Sequence, residues 1–231
     1  MLALSEILLA VFLLADLALA GTGRLRMAIR LVAIQGWAVG LLPIFLWNWA
    51  TGAPELRVWA IAAVNVAVKG IALPLLVDFA ARKAKANFEV EPIVSFRLSL
   101  VAVFLIAAGS FALGRLLHIE EAVRSELAIP VALTTMGTGL FLLCSRRKAI
   151  TQVLGFLVFE NGITVFGSGL LLEYGLVVEL GILLDVFVLV FVLGIAIYEI
   201  NRAFSSIDTD RLNELGDVHL MKHQMHMKHE A

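Results

Sequence analysis

Ile150-Thr-Gln-Val-Leu-Gly155-Phe-Leu-Val-Phe-Glu160-Asn161-Gly162-Ile-Thr-Val-Phe-Gly-Ser-Gly-Leu-Leu-Leu172 decides the fold. A hydrocarbon core of about 30 Å needs roughly 20 mostly apolar residues in one helix. This run meets that length and carries a single formal charge, Glu160, near its middle. Six further stretches qualify: Leu2 to Ala20, Leu31 to Trp49, Val58 to Phe79, Phe96 to Gly114, Leu127 to Leu143 and Gly175 to Tyr198. The chain of 231 residues is 61% hydrophobic and 16% charged, with a mean hydropathy of +0.95, which excludes an ordinary water-soluble domain. The expected fold is an all-α integral membrane bundle of seven helices. In the fifth stretch, Thr134, Thr135 and Thr138 alternate with Gly137 and Gly139, a composition that suits contact with other helices better than contact with lipid. The first stretch ends like a signal-peptidase site, but it has no basic leader and contains Glu6 and Asp16, so it reads as a retained helix.

Lys and Arg set the orientation, because positive loops stay on the cytoplasmic side. Alternate connections hold Arg24, Arg26 and Arg30; Arg82, Lys83, Lys85 and Arg97; Arg146, Arg147 and Lys148; and Arg202, Arg211, Lys222 and Lys228. The other connections hold only Arg57, Arg115 and Arg124. This pattern puts the N-terminus outside and the C-terminus in the cytoplasm, which requires an odd number of crossings. Residues 1–200 read as one transmembrane domain: helices one to five lie within 1–143, helices six and seven within 144–200, and a polar tail fills 201–231. The net charge of −1 leaves no basic surplus for nucleic acid. The single cysteine, Cys144, cannot supply a disulfide framework or a multi-thiolate metal centre. No catalytic residues, cofactor-binding residues or metal ligands are expected in this chain.

An ionised side chain at the bilayer centre costs about 3 kcal/mol or more, so each one needs a reason. Lys69 in the third stretch, Glu160 in the sixth and Asp185 in the seventh sit near mid-membrane, and Glu179 lies in the outer part of the seventh. Desolvation favours the neutral form of a lysine and of a carboxyl alike, so such groups can exchange protons near neutral pH. Lys69, Glu160, Asp185 and Glu179 are therefore the proton-path candidates, with mutual neutralisation as a structural pair the alternative. Glu6, Asp16, Asp78 and Glu199 read as structural or interfacial. Gly36 and Gly40 form a small-xxx-small motif that predicts close helix packing. In the tail, His219, His223, His226 and His229 recur at helical spacing but read as a solvated segment rather than a metal site. Asp208, Asp210, Glu214 and Asp217 give that tail an acidic edge suited to docking on a cytoplasmic subunit.

The segment from Ser145 to Gly162, with Arg146, Arg147 and the Glu160-Asn161-Gly162 triplet, resembles the hydrogenase-4 component E family. So do Val178-Glu179-Leu-Gly-Ile-Leu-Leu-Asp185, the Ser206-Ile-Asp208-Thr-Asp210 tail and Lys69 with Pro74. Those proteins are membrane subunits of complex I-like energy-converting [NiFe] hydrogenases and formate hydrogenlyases. The last three stretches are also similar to the K-type subunit of respiratory complex I and the C subunit of multisubunit sodium/proton antiporters. Arg146, Arg147 and Gly155 keep the K-type spacing, although the glutamate of that family would fall at Leu157, with Glu160 three residues later on nearly the same helix face.

The resemblance implies a multi-pass subunit of the prokaryotic inner membrane that lies beside antiporter-like and quinone-site-like subunits. The [NiFe] centre and iron–sulfur clusters would belong to peripheral partner subunits. The implied role is proton or sodium translocation coupled to redox chemistry. Two alternatives are a structural linker of the membrane arm and a subunit of a cation/proton antiporter without a redox arm.

Overall fold

The computed structural model describes residues 2–47, 49, 52–83, 90, 92–116 and 125–169, with isolated helical positions at 190, 194 and 198. The elements are α1 (Leu2–Gly21), α2 (Leu25–Phe45), α3 (Leu56–Asn65), a π-helical segment (Val66–Ala72), α4 (Leu73–Lys83), α5 (Phe96–Leu116), α6 (Ala128–Ser145) and α7 (Ala149–Gly169). Because α3, the π segment and α4 run on without a break, the described residues hold six helices long and apolar enough to cross a membrane. Of the seventh expected stretch only residues 190, 194 and 198 are described; Glu179 and Asp185, like Glu199 and the tail, lie outside the described residues.

The second helix starts at Leu25, a turn and a half before the expected Leu31. Arg26 and Arg30 do not end it, because both are exposed on its surface, where their long stems can carry the charge toward headgroups. The tight turn at residues 22–24 makes α1 and α2 an antiparallel pair. Pro74 explains the π segment. It has no N–H to give the Gly70 carbonyl four residues earlier, and its ring crowds that carbonyl. The helix accommodates this by widening over the turn before Pro74.

The interior is divided by depth. One apolar cluster joins Ala15 and Leu19 of α1, the start of α2 up to Val32, Leu73 and Val77 of α4, Leu142 of α6 and α7 from Ile150 to Val158. A second joins Leu9 and Phe12 of α1, Ala38 to Leu42 of α2, Ala128 to Ala132 of α6 and Val165 of α7. Between the two, each core helix turns a polar residue inward.

Glycines set the spacing at that depth. A Cβ on Gly36 would collide with the Lys69 carbonyl and come within 2.7 Å of the Gly70 nitrogen, and one on Gly40 would lie 2.8 Å from the Val66 nitrogen. The Gly36–Gly40 pair thus receives the π segment. Gly155 and Gly162 do the same for α6: a Cβ there would lie 2.6 Å from the Leu143 nitrogen and 2.7 Å from the Met136 nitrogen, respectively. By contrast, α5 leaves Leu98, Val101, Phe104 and Leu105 exposed, a face fit for lipid or another apolar surface.

Arg146 ties one end of the bundle together. It is 2% exposed, donates to the Ala20 carbonyl at 3.3 Å and lies 5.5 Å from the Phe96 ring centre. A cation at a helix C-terminus is favoured because the last carbonyls there lack partners. Burial lowers the Arg146 guanidinium from its ordinary value, but arginine starts so far above neutrality that it stays charged.

Candidate functional site: a buried polar layer

Lys69 extends from the π segment and Glu160 from α7, and their side chains form an ion pair. Lys69 is 3% and Glu160 1% exposed. The Lys69 Nζ also donates to Thr164 Oγ1 at 2.5 Å, and that hydroxyl donates to the Glu160 carbonyl at 3.1 Å. One turn of α7 therefore supplies both a carboxylate and a hydroxyl to a single ammonium. Opposite charges in contact remove most of the cost of taking either one out of water. Thr164→Val takes away one hydrogen bond to a charged group, a contribution of about 1.5–3 kcal/mol. Reversible unfolding of the chain in lipid should show a loss in that range, and an unchanged midpoint would mean the hydroxyl does not hold the ammonium.

Of the sequence candidates, the structure brings Lys69 and Glu160 into contact and sets Gly36 directly against the Lys69 backbone. Asn161, beside Glu160, is also buried. Asp78 lies away from this layer and pairs with Arg82 four residues on. Glu6 is exposed.

The sequence reads Asp16 as structural or interfacial, and the structure removes the interfacial alternative: Asp16 is fully buried. Its Oδ1 accepts from Gln35 Nε2 at 2.9 Å and its Oδ2 from Thr135 Oγ1 at 2.8 Å. Asp16 is five residues from the end of α1, but helical side chains lean toward their own N-terminus. In the antiparallel pair Asp16 therefore leans toward mid-membrane, while Gln35 of α2 leans back to meet it. Gln35, Thr135 and Thr164 carry no formal charge and so left little hydropathy signal. The available clue was that Thr134, Thr135 and Thr138 cluster with glycines on one helix.

Five helical elements thus contribute to one layer between two apolar clusters. The layer groups three ionisable side chains, Lys69, Glu160 and Asp16, with hydroxyl and amide groups away from water. Among the described residues no cluster of metal-ligating side chains accompanies it.

The uncharacterized protein Rv0085 of Mycobacterium tuberculosis is 31% identical to the chain over 195 residues, which cover 84% of this chain and 87% of that protein. The chain belongs to the same family as that protein. Hydrogenase-4 component E of Escherichia coli K12 is a more distant homologue, 25% identical over 164 residues that cover 71% of this chain and 74% of the relative. The component E of Shigella flexneri matches to the same degree. No protein-family profile and no solved structure matches the chain.

Proposed function

We propose that this chain is a non-catalytic membrane subunit of a complex I-like, energy-converting [NiFe] hydrogenase, in which Lys69 and Glu160 take part in moving protons. The observation that carries the reading is the ammonium–carboxylate pair at mid-depth, mounted on a π-helical turn between two apolar clusters. The distant homology to hydrogenase-4 component E supplies the redox context. The positive-inside pattern supports an external N-terminus, a cytoplasmic C-terminus and residence in a prokaryotic inner membrane.

The pair suits proton transfer for an electrostatic reason. Passing a proton from Lys69 Nζ to Glu160 converts an ion pair into two neutral groups, and the layer's net charge does not change. A proton arriving at Glu160 from elsewhere leaves Lys69 as an unmatched cation, which favours release of the lysine's proton onward. The π turn gives this exchange a mechanical handle. Return to α-helical register would rotate Lys69 by about 100° about the helix axis, away from Glu160. Redox chemistry in a partner subunit could drive protons by biasing these two registers. Glu179 and Asp185 extend the candidate path on the seventh stretch.

Isolation of the chain from its native membrane in mild detergent, followed by identification of its partners and metals, tests the assembly. Nickel and iron–sulfur proteins in stoichiometric amount are expected. A stable assembly of antiporter-like subunits alone would instead favour a cation/proton antiporter.

A further inference from the structure

Asp16 is a carboxyl group buried in the same layer and unused by the Lys69–Glu160 exchange. Its surroundings are unusual for a carboxylate. The helices packed against α1 are α2, α5 and α6. On α2 the charged residues Arg26 and Arg30 are exposed, on α5 Arg97 and Arg115 are exposed, and α6 has no charged residue within it, while Arg146 just beyond its end meets α1 at the Ala20 carbonyl rather than at Asp16. Glu6, on α1 itself, is exposed too. Among the described residues Asp16 therefore meets no cation, only the neutral donors Gln35 and Thr135. An isolated ionised carboxylate in such a place is far more costly than a hydrogen-bonded neutral acid.

The partners are suited to the neutral acid as well. Gln35 is fully buried, and its Oε1 has no hydrogen-bond partner among the described residues. A half-turn of the amide exchanges oxygen for nitrogen, so Gln35 can donate to an ionised Asp16 or accept from a protonated one. Thr138, one turn beyond Thr135 on the same face of α6, likewise holds a buried hydroxyl with no partner among the described residues. Both donors neighbour helix contacts that adjoin the ion pair. Gln35 precedes Gly36, which lies against the Lys69 carbonyl, and Thr135 precedes Met136, which packs on Gly162, two residues from Glu160.

We propose that Asp16 is a proton-holding station, protonated in the resting protein and switched between its two forms by the Gln35 amide and the α6 threonines. Its link to Lys69 and Glu160 rests on the proton-transfer reading given above, but its protonation does not.

Infrared spectroscopy of the intact complex in lipid tests the station directly. Wild type at neutral pH is expected to carry a protonated-carboxyl band that shifts on carboxyl-¹³C labelling of aspartate. That band is lost in Asp16→Asn, retained in Glu160→Gln, and insensitive to added sodium at fixed pH. Should Asp16→Asn fail to assemble, Asp16→Glu keeps the acid, and its band stops responding to the aspartate label. A band unaffected by either substitution overturns the proposal, and conversion of the band to carboxylate by sodium would make Asp16 a sodium site instead. Gradient formation separates this inference from the function it extends. Loss of pumping in Glu160→Gln with wild-type pumping in Asp16→Asn removes Asp16 from the path alone, whereas wild-type pumping in Glu160→Gln removes the path itself.

Discussion

Lys69→Leu and Glu160→Leu, made singly, should each destabilise the chain by about 3–5 kcal/mol, because each strands one buried ionisable group without its counter-charge. The double substitution Lys69→Leu with Glu160→Leu should recover most of that loss, since apolar replacement of a whole buried pair is neutral or stabilising by about 1–4 kcal/mol. Reversible unfolding in lipid or mixed micelles reads all three variants. The functional outcome should run the other way: the double variant regains stability and does not regain coupled ion movement. A double variant that is both stable and fully coupled would make the pair a structural device. Additive losses in the double variant would mean that the two side chains do not neutralise one another.

Gly36→Ala should cost about 1–3 kcal/mol, the usual range for forcing a methylene into a filled interior, and should also disturb the ion pair. The new methyl would strike the Lys69 carbonyl and the Gly70 nitrogen, which are backbone atoms that no rotamer change can move. Either α2 separates from the π segment or Lys69 shifts with it. Gly109→Ala is the matched control. Its Cβ would meet nothing within 4 Å, and replacing an exposed mid-helix glycine with alanine gains about 0.5–1 kcal/mol. Opposite signs for the two alanines are expected, and equal small effects would contradict the close approach of α2.

The sequence carried the helices further than it carried the site. Apolar runs of bilayer length are strong signals because water penalises every exposed methylene, and six of the seven stretches coincide with described helices. Hydropathy alone sets the second helix at Leu31 to Trp49, whereas it runs Leu25–Phe45: arginines at its start resemble a loop in a hydropathy count although their stems tolerate a helical interface, and the apolar residues after Phe45 continue the hydropathy signal past the helix end. Lys69 and Glu160 were legible since charge in an apolar run is costly. Their direct contact was not, for it depends on how the third and sixth crossings face one another. The π turn was implicit in Pro74 four residues beyond Gly70, a spacing that breaks a hydrogen bond but leaves open how the helix will repair it. The sequence leaves Asp16 open between a structural and an interfacial place, because side-chain lean and the partner helix, which hydropathy does not carry, determine where the carboxyl sits.

The most direct test of the account is the number of protons moved per electron pair by the intact complex in proteoliposomes, wild type against Glu160→Gln. Normalising to electrons transferred cancels any loss of assembled complex. The account predicts that the ratio falls toward zero in the variant. An unchanged ratio would contradict it and leave Lys69 and Glu160 as a buried structural pair.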